Sequence, residues 1–142
     1  MSSGIIFAII AAVSFGVWTV FHQQASENIN SLLGAIIVSL TAVIIGIILL
    51  WPKFDLAIAG AKPKGIIFAV LAGICALAID FFALKAYSSG LTVSVGGPII
   101  IAGSIAIASV IGFFLGESVT ILKITGLVLI IAGSAILTGF SK

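Results

Sequence analysis

The sequence predicts an all-α integral membrane protein with five transmembrane helices. Hydrophobic residues make up 62% of the 142-residue chain and charged residues only 7%, whereas soluble domains carry about 25% charged residues. The mean hydropathy of +1.47 indicates the same environment, a lipid bilayer. The apolar residues form long runs, each close to the roughly 20 residues with which a helix crosses the hydrocarbon core. Because a backbone in lipid must satisfy its own hydrogen bonds, each run is expected to be helical.

The five predicted helices lie in one domain of residues 1–142. They cover about residues 3–23, 31–51, 64–88, 91–115 and 119–140. The first run lacks the basic start of a signal peptide and is longer than its apolar segment, so we interpret it as a retained span.

Short polar connections mark the predicted helix ends. Asn30 or Ser31 can cap the second helix, and Gly90 can end the third. The turn LGESVT separates the last two helices, and its Glu117 is expected to favour the start of the fifth helix.

The charged residues exclude several classes of function. Six lysines, no arginine and a net charge of +2 are too few and too scattered for nucleic-acid binding. One histidine without a cysteine or carboxylate cluster does not make a metal site. The sequence contains no phosphate-binding loop and no recognisable pairing of a nucleophile with a base, so we expect neither a cofactor nor an enzyme.

The lysines predict how the chain is oriented in the cell membrane, which we expect to be an inner membrane. The second and fourth connections carry more lysines (Lys53, Lys62, Lys64, Lys123) than the opposite side (Lys85, Lys142). Positive charge favours the cytoplasm, so the N-terminus is expected inside and the C-terminus outside. The bias of four against two is modest and is compatible with dual topology.

Small residues recur on the faces of the last two helices. Gly112 and Gly116 form a G-x-x-x-G pattern, and Gly126 and Gly133 share one face of the fifth helix. Small residues let membrane helices approach closely. These faces therefore predict either tight packing within one bundle or a seam between two protomers.

Two stretches of the chain carry a recognisable set of motifs, FFALKAYSSGLTVSVGGPI and FLGESVTILKITGLVLIIAGSAIL. The motifs are an A-L-K helix end, a proline in the next helix, an L-G-E turn and a final G-x-x-L-I-x-x-G (Ala83, Leu84, Lys85, Pro98, Leu115, Gly116, Glu117, Gly126, Leu129, Ile130, Gly133). With these motifs the chain resembles the second part of an EamA domain of the drug/metabolite transporter superfamily.

The resemblance implies half of an inverted-repeat transporter with ten helices. It is similar to the short five-helix bacterial and archaeal group, in which one chain supplies half of the wall around a site. The implied partner is a second copy, or a homologous five-helix chain, in the opposite orientation. In such folds the site lies between inverted repeats near the bilayer midplane.

The implied function is secondary transport of a small metabolite or organic solute, with proton coupling as a hypothesis. One alternative is a small multidrug or quaternary-ammonium exporter. Those relatives usually carry a glutamate in the first helix, whereas this chain has no acid between Ser2 and His22. The other alternative is a subunit that does not transport, or one that helps to move a lipid-linked sugar.

Asp80 is the leading candidate for a substrate or proton site. It shares a helical face with Tyr87 and several alanines, and a charge facing lipid at mid-span costs at least about 2.5–3.5 kcal/mol. Asp80 is therefore expected to face the bundle interior or a water-filled cavity, either as a functional acid or as a structural one. Lys85 lies about 140° further round the helix and can reach the interface, in an orienting role.

The remaining candidates lie on the first and fourth helices. Ser14, Trp18 and His22 follow one another at four-residue steps. Trp18 can line a pocket or join an interfacial aromatic belt, and His22 is expected at the interface. Gly97 and Pro98 are expected to bend the fourth helix and shape a cavity.

Overall fold

Residues 3–139 are described here by a computed structural model. The helices are α1 (Ser3–Ser26), α2 (Ser31–Leu50), a 3₁₀ turn (Trp51–Lys53), α3 (Phe54–Ala59), α4 (Pro63–Ser88), α5 (Val93–Phe114) and α6 (Ile121–Gly139). No strand occurs within this range, and five of the helices are long and apolar enough to cross a membrane. The predicted class, all-α with five membrane-spanning helices, is confirmed.

The helix ends differ from the predicted ones by a few residues. α1 continues to Ser26, three residues beyond the expected end, and α6 begins at Ile121, two residues later than expected. The expected end of the last helix at residue 140 lies outside the described residues. The short α3, which follows Pro52 in the longest connection, was not predicted.

Two of the connections have the caps that the sequence predicts. The Asn30 side-chain oxygen accepts hydrogen bonds from the backbone N–H groups of Leu32 (2.9 Å) and Leu33 (3.4 Å), so Asn30 rather than Ser31 caps α2. Gly90 has a φ of +94°, and its N–H donates to the Tyr87 carbonyl at 2.9 Å. A positive φ is easiest for glycine, which explains why α4 ends there.

The turn before α6 departs from the expectation for Glu117. Thr120 supplies the side-chain cap, because its hydroxyl accepts from the Lys123 N–H at 3.3 Å. The Glu117 carboxyl instead lies over Gly112, where an added Cβ would be only 3.0 Å from it. Gly116, with a φ of +94°, ends α5. Glu117 therefore belongs to the end of α5 and does not cap α6.

The helices pack closely at one end of the bundle. α4 packs along α1 and α2, while α5 packs mainly along α6 and also touches α1 and α4. Most of the buried residues lie in the second half of α1, the first turns of α2, the last turns of α4 and the first half of α5 (Thr19, His22, Ser26, Gly34, Ala35, Asp80, Ala83, Leu84, Tyr87, Val95, Gly96, Gly97). Because successive helices run in opposite directions, these segments meet at the same end.

The other end of the bundle is open. Residues 3–14 of α1 and 64–79 of α4 are exposed at every position, and no residue of Ile121–Gly139 is buried. Close packing drives helix association in lipid, so these segments offer surface that the rest of the chain does not use.

Candidate functional site

The buried polar residues lie where α1 faces α4. Thr19, His22 and Ser26 are spaced by three and four residues, which places them on one face of α1. Asp80 and Tyr87 occupy the opposing face of α4, with Leu84 between them. The prediction that Asp80 faces the interior is confirmed, because only 7% of the residue is exposed.

His22 and Asp80 form a buried pair. Nε2 of His22 lies 3.2 Å from Oδ1 of Asp80, and the two side chains are 3% and 11% exposed. The contact is close enough for an ion pair, but its geometry falls short of a well-aligned N–H···O hydrogen bond. Burying an ion costs several kcal/mol unless a partner compensates it, so each group stabilises the other in this place.

The second ring nitrogen of His22 is held by its own helix. Nδ1 lies 3.2 Å from the backbone carbonyl oxygen of Trp18, one turn earlier in α1. A carbonyl oxygen can only accept, so Nδ1 carries the proton in this contact. The neighbouring buried hydroxyls do not compete for the pair, since Thr19 donates to the Gly16 carbonyl and Ser26 to the Gln23 carbonyl, both at 2.7 Å.

Trp18 covers the His22 ring. Their ring centroids are 3.8 Å apart, and Phe15 stacks on Trp18 at 4.9 Å. Trp18 is half-buried. These contacts favour the pocket interpretation of Trp18 over membership of an interfacial belt.

A cavity of about 630 Å³ opens beside the pair, between α1 and α2. Ser14, Trp18, Phe21 and His22 line it from α1, and Thr41 lines it from α2. The Ser14 and Thr41 hydroxyls donate to carbonyls of their own helices at 2.9 and 2.8 Å. The cavity is therefore mainly apolar and aromatic, with the imidazole as its ionisable group.

Gly97 and Pro98 lie in a different cavity. This space of about 410 Å³ is bounded by α5 and α6, and Thr19 reaches it from α1. An added Cβ at Gly97 would meet nothing within 4 Å, although the residue is buried. The structure thus divides the predicted set, with Ser14 and Trp18 on one side of α1 and Gly97 and Pro98 on the other.

Tyr87 is buried, but it does not join the His22–Asp80 pair. It follows Asp80 by two helical turns, about 10 Å along the axis. Its ring lies against Gly96, where an added Cβ would be 2.6 Å from Cε1. Its hydroxyl has no hydrogen-bond partner, which is costly for a buried group and leaves a donor free for a ligand.

The other candidates lie away from this site. Lys85 is exposed on α4, and Glu117 is exposed at the opposite end of the bundle. Gly126 and Gly133 have open space where a Cβ would stand. Each of these two glycines lines a cavity together with residues of α5, so neither is in tight contact within the protomer.

The burial of His22 and its contact with Asp80 were not predicted from the sequence. His22 is 3% exposed and contacts the only carboxylate in the membrane-spanning part of the described chain. One feature of the sequence could have indicated this burial. His22 shares a polar face of α1 with Thr19 and Ser26, and a polar face in a membrane helix requires a polar partner. The pair offers two donor side chains, fewer than the three protein ligands of a catalytic zinc site.

The chain was compared with known protein families, curated proteins and solved structures. Residues 2–139 match the sequence profile of the EamA-like transporter family. No curated protein and no solved structure matches the chain.

Proposed function

Because the chain belongs to the EamA-like transporter family, we propose that it is a secondary transporter that moves a small organic solute across the membrane in exchange for a proton. The family suggests a membrane transporter of small solutes, and five apolar helices support a multi-pass membrane protein. The observation that carries the finer proposal is the His22–Asp80 pair. It places an ionisable group inside the membrane at the wall of an aromatic cavity.

The working unit in this proposal is a dimer of two five-helix chains in opposite orientations. The packed half of the bundle surrounds the buried pair, while the other half is open, and α6 packs along α5 without burying any of its residues. Transporters of inverted-repeat design close their site with a second, upside-down half. A second copy of this chain would supply that half and would cover the open end.

Cysteine cross-linking tests the relative orientation. Ile121 and Ile136 are exposed at opposite ends of α6 and lie on one stripe of that helix. In a Cys75→Ala background, an antiparallel dimer through this stripe should join Ile121→Cys of one copy to Ile136→Cys of the other. Cross-links only between identical positions would indicate a parallel pair. No cross-link at all would contradict a homodimer through α6.

A dimer of two copies has one N-terminus in the cytoplasm and the other outside, so this chain would insert in both orientations. The exposed lysines of the second connection, Lys53, Lys62 and Lys64, favour the copy with its N-terminus in the cytoplasm and its C-terminus outside. Reporter fusions at both ends would test this. Comparable signals from both sides at each end would support the dimer of two copies, whereas a single orientation would require a homologous five-helix chain as the partner.

Transport itself is best tested in proteoliposomes. Vesicles containing the purified protein are supplied with a panel of neutral, anionic and cationic organic solutes, and a pH gradient is imposed. Asp80→Asn should lose accumulation driven by the gradient, because the amide cannot release a proton. Asp55→Asn is the matched control, since Asp55 is exposed on α3 outside the membrane spans. Wild-type accumulation by Asp80→Asn would refute the role of Asp80.

One observation favours organic cations among these solutes. The lack of an acid in α1 weakens the comparison with small exporters, but Asp80 of α4 places a carboxylate against α1. Trp18 and Phe21 line the adjoining cavity, and aromatic rings attract cations. Movement of cations but not of neutral or anionic solutes would identify organic cations as the substrate class.

A further inference from the structure

We propose that His22 and Asp80 form a single proton-binding site in which one proton lies between His22 Nε2 and Asp80 Oδ1 and holds α1 against α4. The inference deepens the proposed transport function and rests on it only for the coupling step. It assigns His22 as the group through which the proton passes between the cavity and the buried carboxylate.

The protonation of the imidazole follows from its two contacts. Nδ1 must carry a proton to donate to the Trp18 carbonyl at 3.2 Å. Nε2 then either carries a second proton, which makes an imidazolium facing a carboxylate, or accepts the proton of a neutral carboxylic acid. In both arrangements a single proton occupies the 3.2 Å gap between Nε2 and Oδ1.

Loss of this proton would break the contact. The Nε2 lone pair and a carboxylate oxygen would then face each other at 3.2 Å with little access to water. Two acceptors without a donor do not attract, and an unpaired buried carboxylate is strongly destabilising. Either the two side chains separate, or a cation or another proton donor takes the place of the proton.

No other ionisable side chain of the described helices can replace this proton at the pair. α2 and α5 contain none, and α1 contains none besides His22. On α4, Lys85 is exposed, Lys64 and Cys75 lie in the exposed segment, and Tyr87 follows Asp80 by about two turns. Asp55 is exposed on α3. Lys123 lies in the first turn of α6 and bonds to Ser118 at 2.8 Å.

The route of the proton follows from the same geometry. His22 lines the cavity between α1 and α2, whereas Asp80 does not. A proton that leaves Asp80 is accepted by Nε2 and reaches the cavity when the imidazole turns towards it. Separation of α1 from α4 would accompany this step, because the buried pair joins the two helices.

The single histidine gives a direct test. Protein labelled with ¹⁵N-histidine and reconstituted in lipid reports only His22, so both nitrogens are assigned without ambiguity. Nδ1 should stay protonated across the pH range, and only the Nε2 signal should change. The pH of that change should differ in Asp80→Asn and should be unaltered in Asp55→Asn. A neutral ring protonated at Nε2, or the same titration in all three proteins, would overturn the proposal.

Transport stoichiometry is the second test. One pH unit corresponds to about 1.36 kcal/mol per proton, so exchange of one proton should give about tenfold solute accumulation per unit with the membrane potential clamped. A dimer of two copies holds two such sites, so about tenfold or about 100-fold accumulation per unit would correspond to one or both sites releasing a proton in each cycle. Accumulation well above 100-fold per unit, or none that follows the pH gradient, would contradict one proton per chain.

His22→Gln completes the test. Glutamine keeps a donor for Asp80 but cannot take up the proton, so accumulation driven by the pH gradient should be lost. Wild-type accumulation by folded His22→Gln would overturn the role of His22. If the NMR result holds but no solute moves, the proton site stands and the transport function is wrong. If transport follows the pH gradient but the NMR result fails, the function stands and the site is wrong.

Discussion

Two neighbouring glycines on α5 provide a sharp test of the packing around Tyr87. An added Cβ at Gly96 would lie 2.6 Å from Cε1 of Tyr87 and 2.9 Å from Cδ2 of Leu91. At Gly97 an added Cβ would meet no atom within 4 Å. Gly96→Ala should therefore destabilise the protein, whereas Gly97→Ala should not.

The magnitude follows from the distances. Carbon atoms pack best at about 3.5–4.0 Å, so the Tyr87 ring must retreat by about 0.9 Å or more to admit a methyl group at position 96. The ring is 3% exposed and belongs to the packed end of the bundle, so it has little room to move. Overpacking of this kind costs about 1–3 kcal/mol. The gain in helix propensity from glycine to alanine is similar at the two positions, and it cancels when the two variants are compared.

Equilibrium unfolding measures this difference. Each variant in mild detergent is titrated with sodium dodecyl sulfate and followed by far-ultraviolet circular dichroism. Gly96→Ala should have a free energy of unfolding about 1–3 kcal/mol below that of Gly97→Ala. In a Tyr87→Ala background, adding Gly96→Ala should cost much less than it does in the wild type, because the clashing ring is gone. Equal stabilities of the two single variants would refute the close contact between Tyr87 and Gly96.

Four further substitutions test individual groups by the same unfolding assay. Asn30→Ala should lower the free energy of unfolding by about 1 kcal/mol through loss of the α2 cap, while Ser31→Ala should change it little. Gly90→Ala should cost about 1–2 kcal/mol, because alanine resists the positive φ at this position. Tyr87→Phe should leave the stability unchanged or raise it, since it removes a buried hydroxyl without a partner. A clear loss of stability in Tyr87→Phe would reveal a partner for that hydroxyl.

Local features of the chain were predictable where the deciding interactions lie close in sequence. The α2 cap depends on Asn30 and the next three residues, and the end of α4 depends on Gly90 and the turn before it. The cap of α6 was misjudged because Glu117 and Thr120 both suit a helix start. The preference of Glu117 for the space over Gly112 depends on how α5 ends.

The contacts of the site residues were less predictable, because they join different helices. Helical spacing placed Asp80 on an interior face, and the cost of a charge in lipid gave the reason. Spacing within α1 could not identify His22 as its partner, because the distance between them depends on how α1 packs on α4. Likewise, nothing local separates Ser14 and Trp18 from Gly97 and Pro98, which line cavities on different sides of α1.

The sequence by itself determined the solvent, the number of membrane-crossing helices and the family of this protein. These properties depend on composition, on the length of apolar runs and on motifs that are contiguous in the chain. Only the tertiary structure decided that His22 meets Asp80, that Tyr87 is buried without a hydrogen-bond partner and that one half of the bundle is open. The physical reason is that contacts between helices depend on their relative rotation and depth, which periodicity along one helix does not fix.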